Sequence, residues 1–287
     1  MIPSKIKQSG FLTLIFILFT MVYLSSGIQA QDLKGFSMPL TMPFYGSPPL
    51  QYTDSKFVTV VFKTSPEVLR RLVPQPLVPN PDNIMFVYTS SLNVSNYKSG
   101  DFSFSGGNYY EVVMGIPVKF KETSGNFCVV MYLDYPVDKG GRPGVALGRE
   151  IWGYPKKEAK ITFDEQDGKV YSVVSRAGTP LIKLSFEKTL KVEPFPPRPK
   201  TPTFNLKYIP SVRKDAPPEV MQLTSNLSEI NRKELWRGKG SLEFGSLSAD
   251  PLGDIPVLQI IAAQYEVAEG RLLHGDVLHD YLTKDKK

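Results

Sequence analysis

Two adjacent lysines, Lys156 and Lys157, follow Tyr154-Pro155 and are the side chains of this sequence best suited to nucleophilic chemistry. A neutral lysine amine attacks a ketone to form an imine, and the protonated imine then accepts electrons from a neighbouring bond that breaks. Because the ordinary pKa of lysine is about 10.4, burial or a neighbouring cation must lower it first. Two lysines after a proline are more often a solvated turn, so this chemistry depends on the surrounding sequence.

Other catalytic signatures are absent from the sequence. It contains no Gly-x-Ser-x-Gly elbow and no glycine-rich phosphate loop after a strand. His274 and His279 are five residues apart, the wrong spacing for one helix face, so we expect surface residues and no zinc site. The single cysteine, Cys128, lies in an apolar run and is expected to be a small buried hydrophobe. The sequence therefore predicts no metal and no cofactor.

Residues 1–30 have the features of a secretory signal peptide. Lys5 and Lys7 precede an apolar run over residues 11–24, and Ala30 is the expected last residue before cleavage. The run is shorter than the roughly 20 residues that a membrane-spanning helix needs, which disfavours an uncleaved anchor. We therefore expect a secreted or periplasmic protein whose residues 31–287 form a single domain without a stable membrane anchor.

The charged residues give little indication of a macromolecular partner. The net charge of +6 arises from 34 basic and 28 acidic residues, which are interspersed rather than clustered. Such a distribution does not indicate a basic patch for nucleic acid. An exported chain with one cysteine has no intramolecular disulfide, so a large core or self-association must stabilise it. We expect a homo-oligomer that binds no nucleic acid.

Most predicted elements are strands rich in β-branched and aromatic residues. They are expected over residues 56–63, 84–90, 109–121, 126–134, 159–163, 169–175, 181–187, 204–209, 241–244 and 255–267. Ser65 and Pro66 mark the start of a short helix, and another short helix is expected over residues 276–282.

The order of these elements predicts the fold class. The strands between residues 159 and 187 should form a meander, and the proline-rich segment 192–202 is interpreted as a loop within one domain because strand-like runs resume after it. Many strands with few helices indicate a mainly β (α+β) fold, an antiparallel barrel-like sheet with small flanking helices.

The segment GREIWGYPKK, residues 148–157, resembles the active-site segment of acetoacetate decarboxylases, in which a Gly-Arg-Glu helix leads through Tyr-Pro into a Lys-Lys pair. Further similar segments follow the family's order along almost the whole chain: SMPLT (37–41), LVPQPL (72–77), IPV (116–118), MYLD (131–134), LKYIP (206–210), ELW (234–236), PLGDIPV (251–257) and DYL (280–282). The resemblance implies a mainly antiparallel barrel-like fold, which agrees with the pattern of predicted strands.

The resemblance also implies roles for particular residues. Lys156 would be the Schiff-base lysine that attacks a small keto acid, and Glu111 falls on an active-site glutamate that could shuttle protons. If residues 156 and 157 are extended, their side chains leave on opposite faces, so Lys157 lies too far away to be the main cause of a lowered Lys156 pKa. Desolvation by aromatic surroundings, among them Tyr154, is the expected cause.

Two positions depart from the family pattern. Counting without gaps, the family's active-site arginine falls on Ser55, with Lys56 beside it, and a second pocket glutamate falls on Val87. Loss of both would make the pocket less polar and would favour a longer or aromatic β-keto acid over acetoacetate. Two alternatives stay open: a relative that forms the same imine but performs aldol condensation or dehydration, and a secreted protein that binds a small ligand on the same fold.

Overall fold

The computed structural model describes residues 35–41, 43–94, 97–99, 102–104, 108–135 and 143–283. The predicted signal peptide, residues 1–30, lies outside these ranges. The chain divides into two compact units, Met1–Phe44 and Tyr45–Lys287. In the described part of the first unit, the backbone N–H of Gly35 donates to the carbonyl of Leu40 over 2.8 Å. In the ranges given above, no helix has the length and apolar character needed to cross a membrane.

The second unit is built mainly from strands. These are β1 (Leu50–Lys63), β2 (Val78–Pro79), β3 (Ile84–Asn93), β4 (Tyr97–Ser99), β5 (Phe102–Phe104), β6 (Asn108–Phe120), β7 (Thr123–Asp134), β8 (Lys156–Glu158), β9 (Lys160–Gln166), β10 (Lys169–Arg176), β11 (Thr179–Lys191), β12 (Thr203–Ile209), β13 (Val220–Phe244) and β14 (Gln259–Asp280). The helical elements are α1 (Pro66–Leu72), α2 (Pro143–Leu147), a π-helical turn (Gly148–Trp152) and a 3₁₀ turn (Leu252–Asp254).

The strands close into a barrel. Neighbouring strands follow the order β12-β7-β6-β3-β1-β14-β13, and β13 pairs back onto β12. The pairing between β12 and β7 is parallel, whereas the other neighbours in this ring are antiparallel. This closure encloses an interior that side chains can line.

The long strand β13 joins the barrel to a smaller meander. Its first part pairs with β12, and its last part pairs with β11, which continues into β10 and β9. Alternate residues of a strand face opposite sides of the sheet. Thus Val58 and Val60 of β1 belong to the largest hydrophobic cluster, which also contains Val170 and Leu184 of the meander. The intervening residues of β1 are free to line the barrel interior.

The mainly β, barrel-like fold predicted from the sequence is confirmed, and so are the strands of the meander and the helix capped by Ser65. The side chain of Ser65 accepts a hydrogen bond from the backbone N–H of Val68. The helix predicted over residues 276–282 is wrong, because β14 continues to Asp280 and pairs with β13 as far as Gln222. The strand predicted from residue 255 begins only at Gln259, after the 3₁₀ turn.

Candidate active site

The chain turns sharply before Lys156. The π-helical turn ends at Gly153, whose φ of +78° lies in the left-handed region, and a Cβ atom there would lie 2.5 Å from the Cα atom of Lys207. Glycine is therefore required at this position. The backbone N–H of Tyr154 then donates to the carbonyl of Gly148 over 3.0 Å, and that of Met131 donates to the carbonyl of Pro155 over 3.2 Å. These bonds lead the chain into β8, which runs parallel to β7.

The extended conformation of β8 sends its two lysines to opposite sides. The side chain of Lys156 is 6% exposed and reaches the barrel interior. The ammonium of Lys157 instead bonds to the carbonyl of Ala249 over 2.7 Å and to the carboxylate of Asp250 over 2.8 Å. Arg176 forms a second ion pair with Asp250. Lys157 therefore anchors the strand and does not face the amine of Lys156.

Glu111 of β6 lies opposite Lys156 in the interior. Its carboxylate is 3.7 Å from Nζ of Lys156, and both side chains are buried. The hydroxyl of Tyr88 donates to the other oxygen of Glu111 over 3.3 Å. Nζ of Lys156 also lies 5.6 Å from the centre of the Tyr154 ring, whose hydroxyl accepts a hydrogen bond from Asn226 over 2.9 Å. Among the residues that the structure describes, the amine thus has one acidic partner and an aromatic wall.

Burial shifts the pKa values of Lys156 and Glu111 in opposite directions, and each shift favours the uncharged form of its side chain. Desolvation lowers the pKa of Lys156, although the charge of Glu111 opposes that shift. Desolvation likewise raises the pKa of Glu111, and here the charge of Lys156 opposes it. The arrangement favours an amine that can attack and a carboxylic acid that can donate a proton.

The pair lines a cavity of about 380 Å³ inside the barrel. Odd-numbered residues of β6 and even-numbered residues of β3 contribute to its wall, as strand alternation requires. Its charged lining residues are Glu111, Lys156 and Arg198. Much of the remaining wall is aromatic, from Tyr52, Phe57, Phe86, Tyr88, Tyr109, Phe127 and Tyr154. The cavity can therefore surround an organic anion that is largely apolar.

Ser55 and Val87 were predicted to replace polar residues of the pocket, but neither lines the cavity. Val87 lies on the opposite face of β3, in the main hydrophobic cluster. Ser55 is fully buried and uses its hydroxyl on the backbone, as a donor to Thr53 and an acceptor from Asn93. Lys56 points outward and pairs with Glu165 over 2.6 Å. The inference about pocket polarity from these two positions is therefore wrong, because a linear count does not identify the inward face or the bulge after Tyr52.

Sequence reasoning missed several residues that shape the site. Tyr88 follows from the alternation of β3 once the inward face is known. Gly148 lies within the 148–157 segment, but its contact with the Lys156 side chain depends on the folded turn. Asp250 binds Lys157 across a long sequence separation, which a local pattern does not reveal. Arg198 lies in the proline-rich crossing, where no periodicity predicts the direction of a side chain. Within the described ranges, no group of three or more potential metal ligands is found.

Comparison with known proteins shows which family the chain resembles. A sequence model of the acetoacetate decarboxylase family matches residues 37–282. An acetoacetate decarboxylase from Burkholderia vietnamiensis (strain G4 / LMG 22486) is 32% identical over 261 residues, which cover 88% of this chain and 97% of that relative.

Two groups of solved structures share the fold. The acetoacetate decarboxylase of Legionella pneumophila is 24% identical, with a TM-score of 0.72 and coverage of 88% of this chain and 96% of that chain. The enduracididine biosynthesis enzyme MppR, solved with pyruvate, is 17% identical, with a TM-score of 0.70 and coverage of 86% and 98%. At these identities the likeness shows the common fold.

Proposed function

Because this chain belongs to the acetoacetate decarboxylase family, we propose that it is a carboxy-lyase that decarboxylates a β-keto acid through an imine on Lys156. The observation that carries the proposal is the buried amine of Lys156, 3.7 Å from the buried carboxyl group of Glu111. Burial supplies the neutral amine that attack on a ketone requires.

The proposed reaction starts with attack of the neutral Lys156 amine on the keto carbon, which gives a carbinolamine. Protonation of its hydroxyl by Glu111 releases water and leaves a protonated imine. The carbon–carbon bond to the carboxylate then breaks and carbon dioxide leaves. The electron pair of that bond moves into the imine and forms an enamine. The enamine carbon takes up a proton, and water releases the ketone and restores the amine. The net reaction consumes one proton for each carbon dioxide.

The cavity supports a substrate larger than acetoacetate. Its volume of about 380 Å³ and its aromatic wall suit an apolar group attached to the keto acid. Burial of apolar surface contributes roughly 25 cal/mol per Å², so an aromatic substituent adds binding energy that acetoacetate lacks. We therefore expect a higher kcat/KM for benzoylacetate than for acetoacetate.

A second candidate reaction follows from the same amine. MppR was also solved with the condensation product of pyruvate and imidazole 4-carboxaldehyde. An imine on Lys156 could likewise activate a keto acid for condensation or dehydration without loss of carbon dioxide. This candidate shares the first steps and differs in the bond that breaks.

Release of carbon dioxide from a panel of keto acids distinguishes the candidates. The panel should include acetoacetate, benzoylacetate and pyruvate with an aldehyde, each tested on wild-type protein and on Lys156→Met. Carbon dioxide release from a β-keto acid that depends on Lys156 supports the decarboxylase. Condensation or dehydration without carbon dioxide supports the second candidate, and binding without either reaction supports a ligand-binding protein.

We also propose that the protein is exported and self-associates, as its sequence indicates. N-terminal sequencing that begins near Gln31 and light scattering of the purified protein test these two expectations. Membrane-bound protein with residues 1–30 intact would contradict the first, and a monomer at micromolar concentration the second.

A further inference from the structure

One cationic side chain of the cavity has no part in the chemistry described above. Lys156 and Glu111 face each other, whereas Arg198 enters the lining from the segment between β11 and β12. We propose that Arg198 is a substrate-binding residue that pairs with the carboxylate of the keto acid while its keto carbon lies at Lys156. This inference rests on the proposed function and adds to it how the carboxylate is recognised.

Arg198, Glu266 and Arg232 form an ion-pair cluster with an excess of positive charge. Its guanidinium pairs with Glu266, whose side chain is 2% exposed. The other oxygen of Glu266 accepts a hydrogen bond from Nε of Arg232 over 2.8 Å, and Arg232 also donates to the carbonyl of Pro196 over 2.9 Å. Two guanidinium groups thus share one carboxylate, which leaves one net positive charge. A second carboxylate, from a ligand, would complete the balance.

The remaining donors of Arg198 are available to such a ligand. An arginine has five N–H donors, and within the described residues the guanidinium of Arg198 makes its hydrogen bond to Glu266. Its central carbon lies 5.9 Å from the ring centre of Phe57, another residue of the cavity wall. The guanidinium therefore lies beside the aromatic wall and has N–H groups that can bind a ligand.

Arg198 lines the same cavity as Lys156 and Glu111, and Phe57 lies between them. The Phe57 ring centre is 5.9 Å from the central carbon of Arg198 and 6.1 Å from the ring centre of Tyr88, whose hydroxyl bonds Glu111. Burial raises the pKa of Tyr88, the hydroxyl that bonds Glu111; the charge of Glu111 adds to this shift and the charge of Arg198 opposes it. The same two charges act in opposite directions on the pKa of Tyr52, which burial raises to about 12. The guanidinium of Arg198 and the amine of Lys156 thus line one cavity.

The cavity also shares Arg198 with a surface groove of mostly positive charge. Charged residues lining that groove are Arg198, Lys200, Arg232 and Arg271, against Glu229 and Glu269. A positive approach raises the rate at which anions reach a site. Arg198 is one of the residues that line both the groove and the cavity. A carboxylate that enters the cavity from the groove therefore passes Arg198.

The proposal predicts a particular kinetic signature. As carbon dioxide forms, the carboxylate loses its charge, so its ion pair with Arg198 is stronger with bound substrate than in the transition state. Replacing Arg198 by Met should therefore raise KM for benzoylacetate about ten- to a hundred-fold, with kcat unchanged or slightly increased. Arg198→Lys should recover part of the loss, because lysine keeps the charge without the planar pair of donors.

The experiment compares steady-state kinetics of Arg198→Met with those of Arg271→Met at the same ionic strength. Arg271 lines the groove but not the cavity, so its variant makes the same charge change without removing the proposed contact. Binding of the inert acid 3-phenylpropanoate and of neutral acetophenone is measured by calorimetry on each variant. We expect Arg198→Met to lose affinity for the acid alone, and Arg271→Met to change either affinity less than about threefold at physiological salt.

Three outcomes would overturn the assignment: equal losses for the acid and the ketone, equal effects of the two variants, or an unchanged acid affinity in Arg198→Met. The calorimetry separates this proposal from the proposed function. If the wild-type protein releases no carbon dioxide, the decarboxylase proposal fails, whereas Arg198-dependent binding of the acid still supports the carboxylate contact.

Discussion

Replacing Gly148 by Ala tests how closely the π-helical turn positions the amine of Lys156, the proposed nucleophile. A Cβ atom at residue 148 would lie 2.4 Å from Cε and 2.8 Å from Nζ of Lys156, whereas ordinary contacts begin at 3.4 Å. Cε must therefore move by about 1 Å, and a displacement of that size at a reacting group costs on the order of 10²-fold in rate. That corresponds to about 2.7 kcal/mol of transition-state stabilisation.

The same substitution should leave the protein folded. The contacts that a Cβ would violate belong to the flexible end of Lys156. Alanine is preferred over glycine in a helical backbone by roughly 0.5–1 kcal/mol, which offsets part of any packing strain. The expected result is a large loss of kcat and of borohydride trapping, with a melting temperature close to that of the wild type.

The control for this substitution is Gly253→Ala, at an exposed position where the new Cβ would approach the Cβ of Ser246 to 3.2 Å. That variant should keep full activity. Wild-type kcat and trapping rates in Gly148→Ala would refute the argument that the turn leaves no room beside the amine. A collapse in stability would show that residue 148 acts through the fold and not through Lys156.

Three further substitutions test the pair and its anchor. Glu111→Gln should lower kcat by about 10²- to 10⁴-fold by removing the proton donor. It should also remove the alkaline limb of the pH–rate profile, because a raised Glu111 pKa makes activity fall as pH rises through it. The acid limb should remain in that variant, since activity rises with pH as Lys156 loses its proton. Lys156→Met should abolish turnover without lowering the melting temperature, because it removes a desolvated amine from the interior. Lys157→Met should keep trapping on Lys156 but cost about 1 kcal/mol in urea unfolding, because Asp250 retains only one of its two cationic partners.

The elements of this fold were largely predictable because their sequence patterns are local. The β-branched strands and the cap at Ser65 produce hydrogen bonds and packing that nearby residues determine. The error at residues 276–282 has the opposite origin. There the pairing of β14 with β13 supplies a continuous ladder of hydrogen bonds, and this tertiary pairing overrides a short helical preference.

Only the site residues that lie in a recognisable sequence motif were predictable. The extended Lys156-Lys157 pair follows from strand alternation, and the separation of the two side chains follows with it. The predicted places of Ser55 and Val87 in the pocket were wrong because the whole barrel determines the bulge in β1 and the inward face of β3. Arg198 and Asp250 are more than forty residues from the lysine pair in the sequence, so only the folded structure shows that they belong to the site.

Reductive trapping followed by peptide mass mapping tests the central claim most directly. The protein is incubated with benzoylacetate or its ketone product and sodium borohydride, digested, and compared with Lys156→Arg treated in the same way. We predict one covalent adduct, on Lys156, in the wild-type protein and none in the variant. An adduct on Lys157 with Lys156 unmodified, or turnover with no adduct on either lysine, would contradict the account.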